Sequence, residues 1–216
     1  MVLPVAALSP DLEPFLAQCS RRRYTAKAAI IHQGDRATDL FYVVQGSVTV
    51  LLADDQGHEL VLAYLNQGEF FGEIGLFSEQ RGRSALVRAR TACEIAQISY
   101  AKLRQLGELY PWITTLITGQ LARRLLATNR RLGDLAFMDV YGRIARTLLQ
   151  LCKEPDVTVQ AQGVLVRVTH RELGRLVGCS REMVGKVLKE MALQKQVVLE
   201  GRAILVLGVK PGTTLS

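Results

Sequence analysis

One transition governs what this 216-residue chain can become: the spacing of its apolar side chains changes from two to about 3.6 residues just after Tyr100. A period of two belongs to strands with one buried face, and a period of 3.6 to amphipathic helices, so a strand-rich half precedes a helix-rich half. From Arg23 to Ser99 the apolar runs are short, β-branched or aromatic, and punctuated by Gly, Asp and Asn, at residues 29–32, 40–44, 47–53, 59–64, 85–89 and 93–98. Strands at this spacing, with turns at Gly46 and Asp54-Asp55-Gln56-Gly57, predict a small antiparallel barrel or sandwich.

Beyond Tyr100 the spacing predicts a short helix over 101–109 and a longer one opened by Pro111, whose missing N–H costs nothing in a first turn. Along it Ile113, Ile117, Leu121, Leu125, Thr128, Leu132 and Leu135 form one seam, apolar except for Thr128, and Arg123, Arg124, Arg130 and Arg131 are assigned to the outer face. Such a seam suits packing on a core or a two-stranded coiled coil, and its length and flanking charge make a homodimer the expectation. Gly133-Asp134 followed by Asp139 marks an expected hinge. A helix over 140–153 ends before Pro155, 156–163 reads as a loop and 164–168 as a strand.

Thr169 and Glu172 have capping-box spacing, so a helix starts at His170 and stops at Gly178, after which Ser180 can cap a second helix over 181–194. Two helices joined by a short glycine-containing turn make a helix-turn-helix. Residues 197–199 and 203–207 around Glu200-Gly201-Arg202 add a hairpin, the winged variant. On the second helix Arg181, Glu182, Gly185, Lys186 and Lys189 are placed outward and Met183, Val184, Val187, Leu188 and Met191 inward. An exposed face of this kind is either simply solvated or enters a major groove, where Arg pairs with guanine and Glu accepts from cytosine.

Charge supports the second alternative. Residues 139–216 hold 12 basic and 7 acidic side chains, so they carry +5 of the total +7, and a basic domain attracts polyanions. Cys19, Cys93, Cys152 and Cys179 form no Cys-x-x-Cys pair and share no ligand spacing with His32, His58 or His170, so no metal site is expected and a reducing cytoplasm fits best. No apolar run is long enough to cross a bilayer, and residues 1–15 lack the basic start of a secretion signal. Catalysis is not expected, because Cys152 has no partner His and His170 lies inside a capping box.

The segment FGEIGLFSEQRGRSA (71–85) combines a Gly-flanked acid, a short helix and Arg83-Ser84. A helix start and a guanidinium stabilise anions, and Glu73 could accept protons from ribose hydroxyls. Taken alone, these residues read more simply as turn glycines at Gly72 and Gly75 with Arg83 a surface ion-pair partner.

Taken together, IIHQGDRATDLFYVVQGSV, YLNQGEFFGEIGLF, RSALVRARTACEIAQISYAKLRQL, ARRL, LAFMDVYGRIARTLL and VGCSREMVGKVLKEM closely resemble the Crp/Fnr family of bacterial transcription regulators over nearly the whole chain. The resemblance implies an α+β fold: a cyclic-nucleotide-binding β jelly roll at 1–110, a dimerisation helix and hinge at 111–138, and a winged helix-turn-helix at 139–216. It implies cAMP as effector, with cyclic di-GMP or no nucleotide as the alternative. It assigns phosphate to Arg83 and Ser84, ribose to Gly72 and Glu73, and base to Thr128. Asn129 stands where relatives carry a Ser contributed across the dimer, and Ala63 where a Ser lines the base pocket. On double-stranded DNA with a pseudo-palindromic operator, half-sites resembling TGTGA, it assigns base reading to Arg181, Glu182 and Lys186. Thr169, Arg171 and Ser180 complete the DNA-binding set. Lys186 replaces an Arg and loses its bidentate fork. Contact with RNA polymerase would involve 156–163, whose sequence departs from the relatives' pattern, and residues 209–216 run beyond where close relatives stop.

Overall fold

The computed structural model describes residues 12–78, 82–107 and 109–209 and divides into two compact units, 1–128 and 129–216. The first contains α1 (Glu13–Leu16), β1 (Ser20–Tyr24), β2 (Ala29–Ile31), β3 (Asp39–Gln45), β4 (Ser47–Ala53) and β5 (Glu59–Asn66). It continues with β6 (Phe70–Phe71), α2 (Ile74–Phe77), β7 (Leu86–Ala89), β8 (Cys93–Ser99) and α3 (Tyr100–Leu106). Helix α4 (Trp112–Phe137) begins here and runs on into the second unit.

Two antiparallel sheets, ordered β1-β8-β3-β6 and β2-β7-β4-β5, make the jelly roll. Strand β3 shows how the sequence builds it, because alternate side chains of a strand point to opposite faces. Leu40 and Tyr42, with Phe70 and Ile98, meet Phe15, Tyr100, Leu103, Ile113 and Ile117 of the helices. Phe41 and Val43, with Phe71 and Ile95, meet Ile31, Val48, Leu65 and Val87 between the sheets. Phe41 stacks on Phe71 at 5.0 Å between ring centroids.

Two strands of this unit were not expected. The β1 segment SRRRY is exposed along most of its length and owes its conformation to pairing with β8. The two-residue β6 is too short for any periodicity to mark, and is held by Phe41 and Tyr42 of β3.

The second unit contains α5 (Val140–Leu151), β9 (Thr158–Gln160), β10 (Gly163–Val166), α6 (His170–Val177), α7 (Arg181–Leu193), β11 (Val197–Glu200) and β12 (Ala203–Leu207). Its antiparallel sheet, ordered β11-β12-β10-β9, contains the expected wing, but the span 156–163 is not a plain loop, since β9 pairs with β10 there. Ile144, Leu148, Val164, Leu173, Val184, Leu188 and Met191 are fully or almost fully buried and form its core.

The expected hinge is narrower than its three residues: helix α4 passes unbroken through Gly133-Asp134, where Asp134 is ion-paired with Arg146 of α5, and the chain breaks only at Met138-Asp139, the Asp139 end of that hinge. Asp139 then caps α5, its Oδ1 accepting from the Gly142 N–H at 2.8 Å.

Candidate functional site

The candidate anion-binding side of the first unit is organised by Arg83. The residue is only 8% exposed, and its guanidinium donates from Nη1 to the Gly72 carbonyl at 3.0 Å and the Tyr100 hydroxyl at 3.1 Å, and from Nη2 to the Asp39 carbonyl at 2.8 Å. It also lies 5.3 Å from the Phe41 ring centroid. Arg83 is therefore no surface ion-pair partner: among the described residues it meets no carboxylate. A guanidinium held away from water by neutral groups is a site of surplus positive charge, and an anion is what would compensate it. Burial pushes the Tyr100 phenol above its usual value, against the neighbouring Arg83 guanidinium, so the phenol keeps its proton and donates it to the Gly72 carbonyl.

Gly72 follows β6 and has φ +79°, a conformation that a side chain disfavours. A Cβ there would also stand 2.8 Å from Arg83 Nη1 and 3.0 Å from Phe41 Cδ2. Glycine thus lets Arg83 close over the backbone that presents Glu73. The Glu73 side chain is 7% exposed, and its Oε1 is 3.0 Å from Arg124 Nη1. Ser84, half-buried, stands beside Arg83, its hydroxyl making no hydrogen bond among the described residues.

Gly72, Glu73, Arg83 and Ser84 therefore sit on or beside one network. Thr128 is exposed one helical turn beyond Arg124 and donates to the Arg124 carbonyl at 3.0 Å. Asn129 is exposed and begins the second unit. Ala63 is half-buried against the inter-sheet core.

Three residues here escaped sequence reasoning. Arg124, assigned to the outer face, turns toward β6: besides Glu73 it donates to the Phe70 carbonyl and lies 3.6 Å from Glu69. Gln120 is buried next to it, and Tyr100 supports Arg83. Ile113, Ile117, Gln120 and Arg124 recur at steps of four, three and four, so the barrel-facing stripe of α4 was visible had its polar continuation been admitted.

In the second unit Thr169 Oγ1 accepts from the Glu172 N–H and Ser180 Oγ from the Met183 N–H, both at 3.2 Å, which fixes the starts of α6 and α7. Gly178 closes α6 with φ +73°, the left-handed turn between them. Thr169, Arg171, Ser180, Arg181, Glu182 and Lys186 are all exposed. The Glu182 carboxyl is held below its ordinary range by its own backbone N–H and the Ser180 hydroxyl, so it stays an ionised acceptor. Met183, expected inward, is 41% exposed, because the buried stripe of α7 is Val184, Val187, Leu188 and Met191.

Among the described residues no group of three His, Cys, Asp or Glu side chains is arranged to hold a metal, and no helix is long and apolar enough to cross a membrane. A family model for the cyclic nucleotide-binding domain matches residues 21–110, and one for the Crp-like helix-turn-helix domain matches residues 142–210. The chain is 49% identical over 210 residues to the cAMP-activated global transcriptional regulator CRP of Salmonella typhimurium, covering 97% of this chain and 100% of that one. It is 50% identical over 202 residues to the cAMP-activated global transcriptional regulator Vfr of Pseudomonas aeruginosa, covering 92% and 94%. Among solved structures, the c-di-GMP-responsive global regulator CLP of Xanthomonas campestris superposes with a TM-score of 0.87 at 45% identity, covering 92% of this chain and 98% of that one. With both domains matched in order and such identity sustained from end to end, the chain belongs to the Crp/Fnr family of transcription regulators.

Proposed function

We propose that the protein is a homodimeric, sequence-specific DNA-binding regulator whose operator affinity is raised by cAMP. The observation that carries the effector is Arg83, a buried residue that meets no carboxylate among the described residues, next to the acidic Glu73. One anion-binding group and one hydroxyl acceptor match a single cyclic phosphate on a ribose. The relatives described as cAMP-activated support the same choice. Cyclic di-GMP, to which the Xanthomonas regulator responds, carries two phosphates, and the second guanidinium near the site, Arg124, is already engaged by Glu73.

The dimer rests on the far half of α4, where Leu125, Leu126, Leu132 and Leu135 are exposed in the single chain. A dimer accounts for a pseudo-palindromic operator, because two-fold symmetry in the protein is mirrored in its half-sites. The reading places the protein in the cytoplasm, with the exposed β9 as the segment offered to RNA polymerase. It includes no catalytic step: burial pushes the Cys152 thiol up to about 11, away from a nucleophile.

Calorimetry with cAMP and with cyclic di-GMP, followed by operator binding with and without each, tests the proposal. Binding of cAMP accompanied by tighter operator binding is expected. Cyclic di-GMP acting alone, or cAMP binding that leaves operator affinity unchanged, overturns it.

A further inference from the structure

The outer edge of β6 is closed by side chains of a helix. On its inner edge β6 pairs with β3, Phe71 opposite Phe41 and Phe70 opposite Tyr42. On the outer edge the Phe70 N–H donates to Gln120 Oε1 at 2.8 Å, and the Phe70 carbonyl accepts from Arg124. Gln120 Nε2 donates to the Gly68 carbonyl at 3.0 Å. Gln120 is 7% exposed, and its amide orientation is set by its partners, since reversing it would oppose two donors and two acceptors.

We infer that Gln120 is a positioning residue that makes the Gly68–Glu73 segment and helix α4 move as one body, so that effector binding at Glu73 is transmitted along α4. The inference rests on the regulatory reading above. Arg124 reaches the same segment twice, at the Phe70 carbonyl and at the Glu73 carboxylate that a ribose hydroxyl would also engage, so a ligand alters one of its two links. The bonds of Gln120 go to backbone atoms two and four residues before Gly72, which a ligand on Glu73 does not compete for. Helix α4 then continues through Thr128 to Phe137. No apolar residue of the same reach can hold both a backbone donor and a backbone acceptor.

The test compares full-length protein with Gln120→Met, which keeps the length and apolar stem but loses both bonds. Gln120→Glu keeps the acceptor for Phe70 and loses the donor to Gly68. Ile113→Val, a buried change on the same face of α4, is the control for lost packing. The readouts are melting temperature, cAMP affinity without DNA, and the coupling ratio, the factor by which saturating cAMP tightens operator binding.

Gln120→Met should lower the coupling ratio at least tenfold while cAMP affinity without DNA changes less than threefold. Gln120→Glu should fall between, and Ile113→Val should lower the melting temperature with an unchanged ratio. A Gln120→Met protein with a lowered melting temperature and the unmodified coupling ratio overturns the inference, leaving Gln120 a structural residue only. An unmodified protein whose operator affinity responds to neither cAMP nor cyclic di-GMP overturns the regulatory reading itself, and with it the inference.

Discussion

Arg124 and Glu73 meet at 3.0 Å, Nη1 to Oε1, in a place where the carboxylate has almost no access to water. The pair joins the long helix to the residue that would hold the ribose, and it cannot lose one member cheaply. Arg124→Met leaves the carboxylate buried and without its partner, a change that costs about 3 kcal/mol for a buried pair. Urea denaturation should show a destabilisation of that order, at the lower end because Arg124 is partly solvated. An unchanged midpoint would contradict the geometry.

The anion site makes a separable prediction. Arg83→Leu removes the guanidinium, and a ligand phosphate would then be desolvated without a charged donor, so binding of cAMP should weaken by at least ~2 kcal/mol, roughly thirtyfold. Circular dichroism should report the fold intact, since the strands around Arg83 pair through their own backbones. Equal cAMP affinity in the variant would move the phosphate elsewhere.

On the DNA side, Arg181 occupies the first turn of α7 with its side chain exposed. If it donates two hydrogen bonds to a guanine edge, Arg181→Ala should cost ~1–3 kcal/mol on the operator and much less on unrelated DNA at the same salt concentration. Equal losses on both would reduce it to a phosphate contact.

How legible all this was depended on whether local chemistry decided the outcome. The helix-turn-helix could be read because Thr169, Ser180 and Gly178 specify two helix starts and a stop by short-range hydrogen bonds and backbone preference. The jelly-roll strands could be read where one face is buried. Strand β1 could not, since its Arg-rich sequence becomes a strand only through a distant partner, with Arg23 on Glu94, 71 residues along the chain. The hinge was legible at Asp139, a helix-capping residue, but not correctly at Gly133, because a glycine inside a helix costs only about 1 kcal/mol, which the surrounding turns of α4 and the Asp134–Arg146 pair offset. Arg83, Gly72 and Glu73 were identifiable by family resemblance, whereas the burial that gives Arg83 its chemistry came only with the fold. Arg124 was misassigned because charge was taken to mean solvent, although a cation with a carboxylate waiting for it can face a barrel.

Stability should fall at alkaline pH. Burial pushes the thiols of Cys19 and Cys152 from 9.0 up to about 11, so between these values the folded chain retains protons that the unfolded chain has released. Their contribution is complete below pH 9 and disappears as the pH rises through 11. Urea midpoints at pH 8, 9.5 and 10.5 should decline, and Cys152→Ala should shallow the decline. A slope untouched by that substitution would show that the Cys152 thiol ionises alike in both states.

The exposed half of α4 yields the last prediction. Ile113 and Ile117 are buried against the first unit, whereas Leu125 is 62% exposed, and Leu126, Leu132 and Leu135 are also exposed in the single chain. Apolar groups at this spacing on one helix form a continuous hydrophobic surface, and removing a buried Leu side chain from water contributes ~1.5–3 kcal/mol. A second copy, related by two-fold symmetry, presents the same stripe and covers both at once. The protein should therefore sediment as a dimer at micromolar concentration without any nucleotide. Leu125→Glu would place a charge from each chain in that contact and should shift the population toward folded monomer. A folded monomer of the unmodified chain under those conditions would show that the stripe is covered by something other than a second copy.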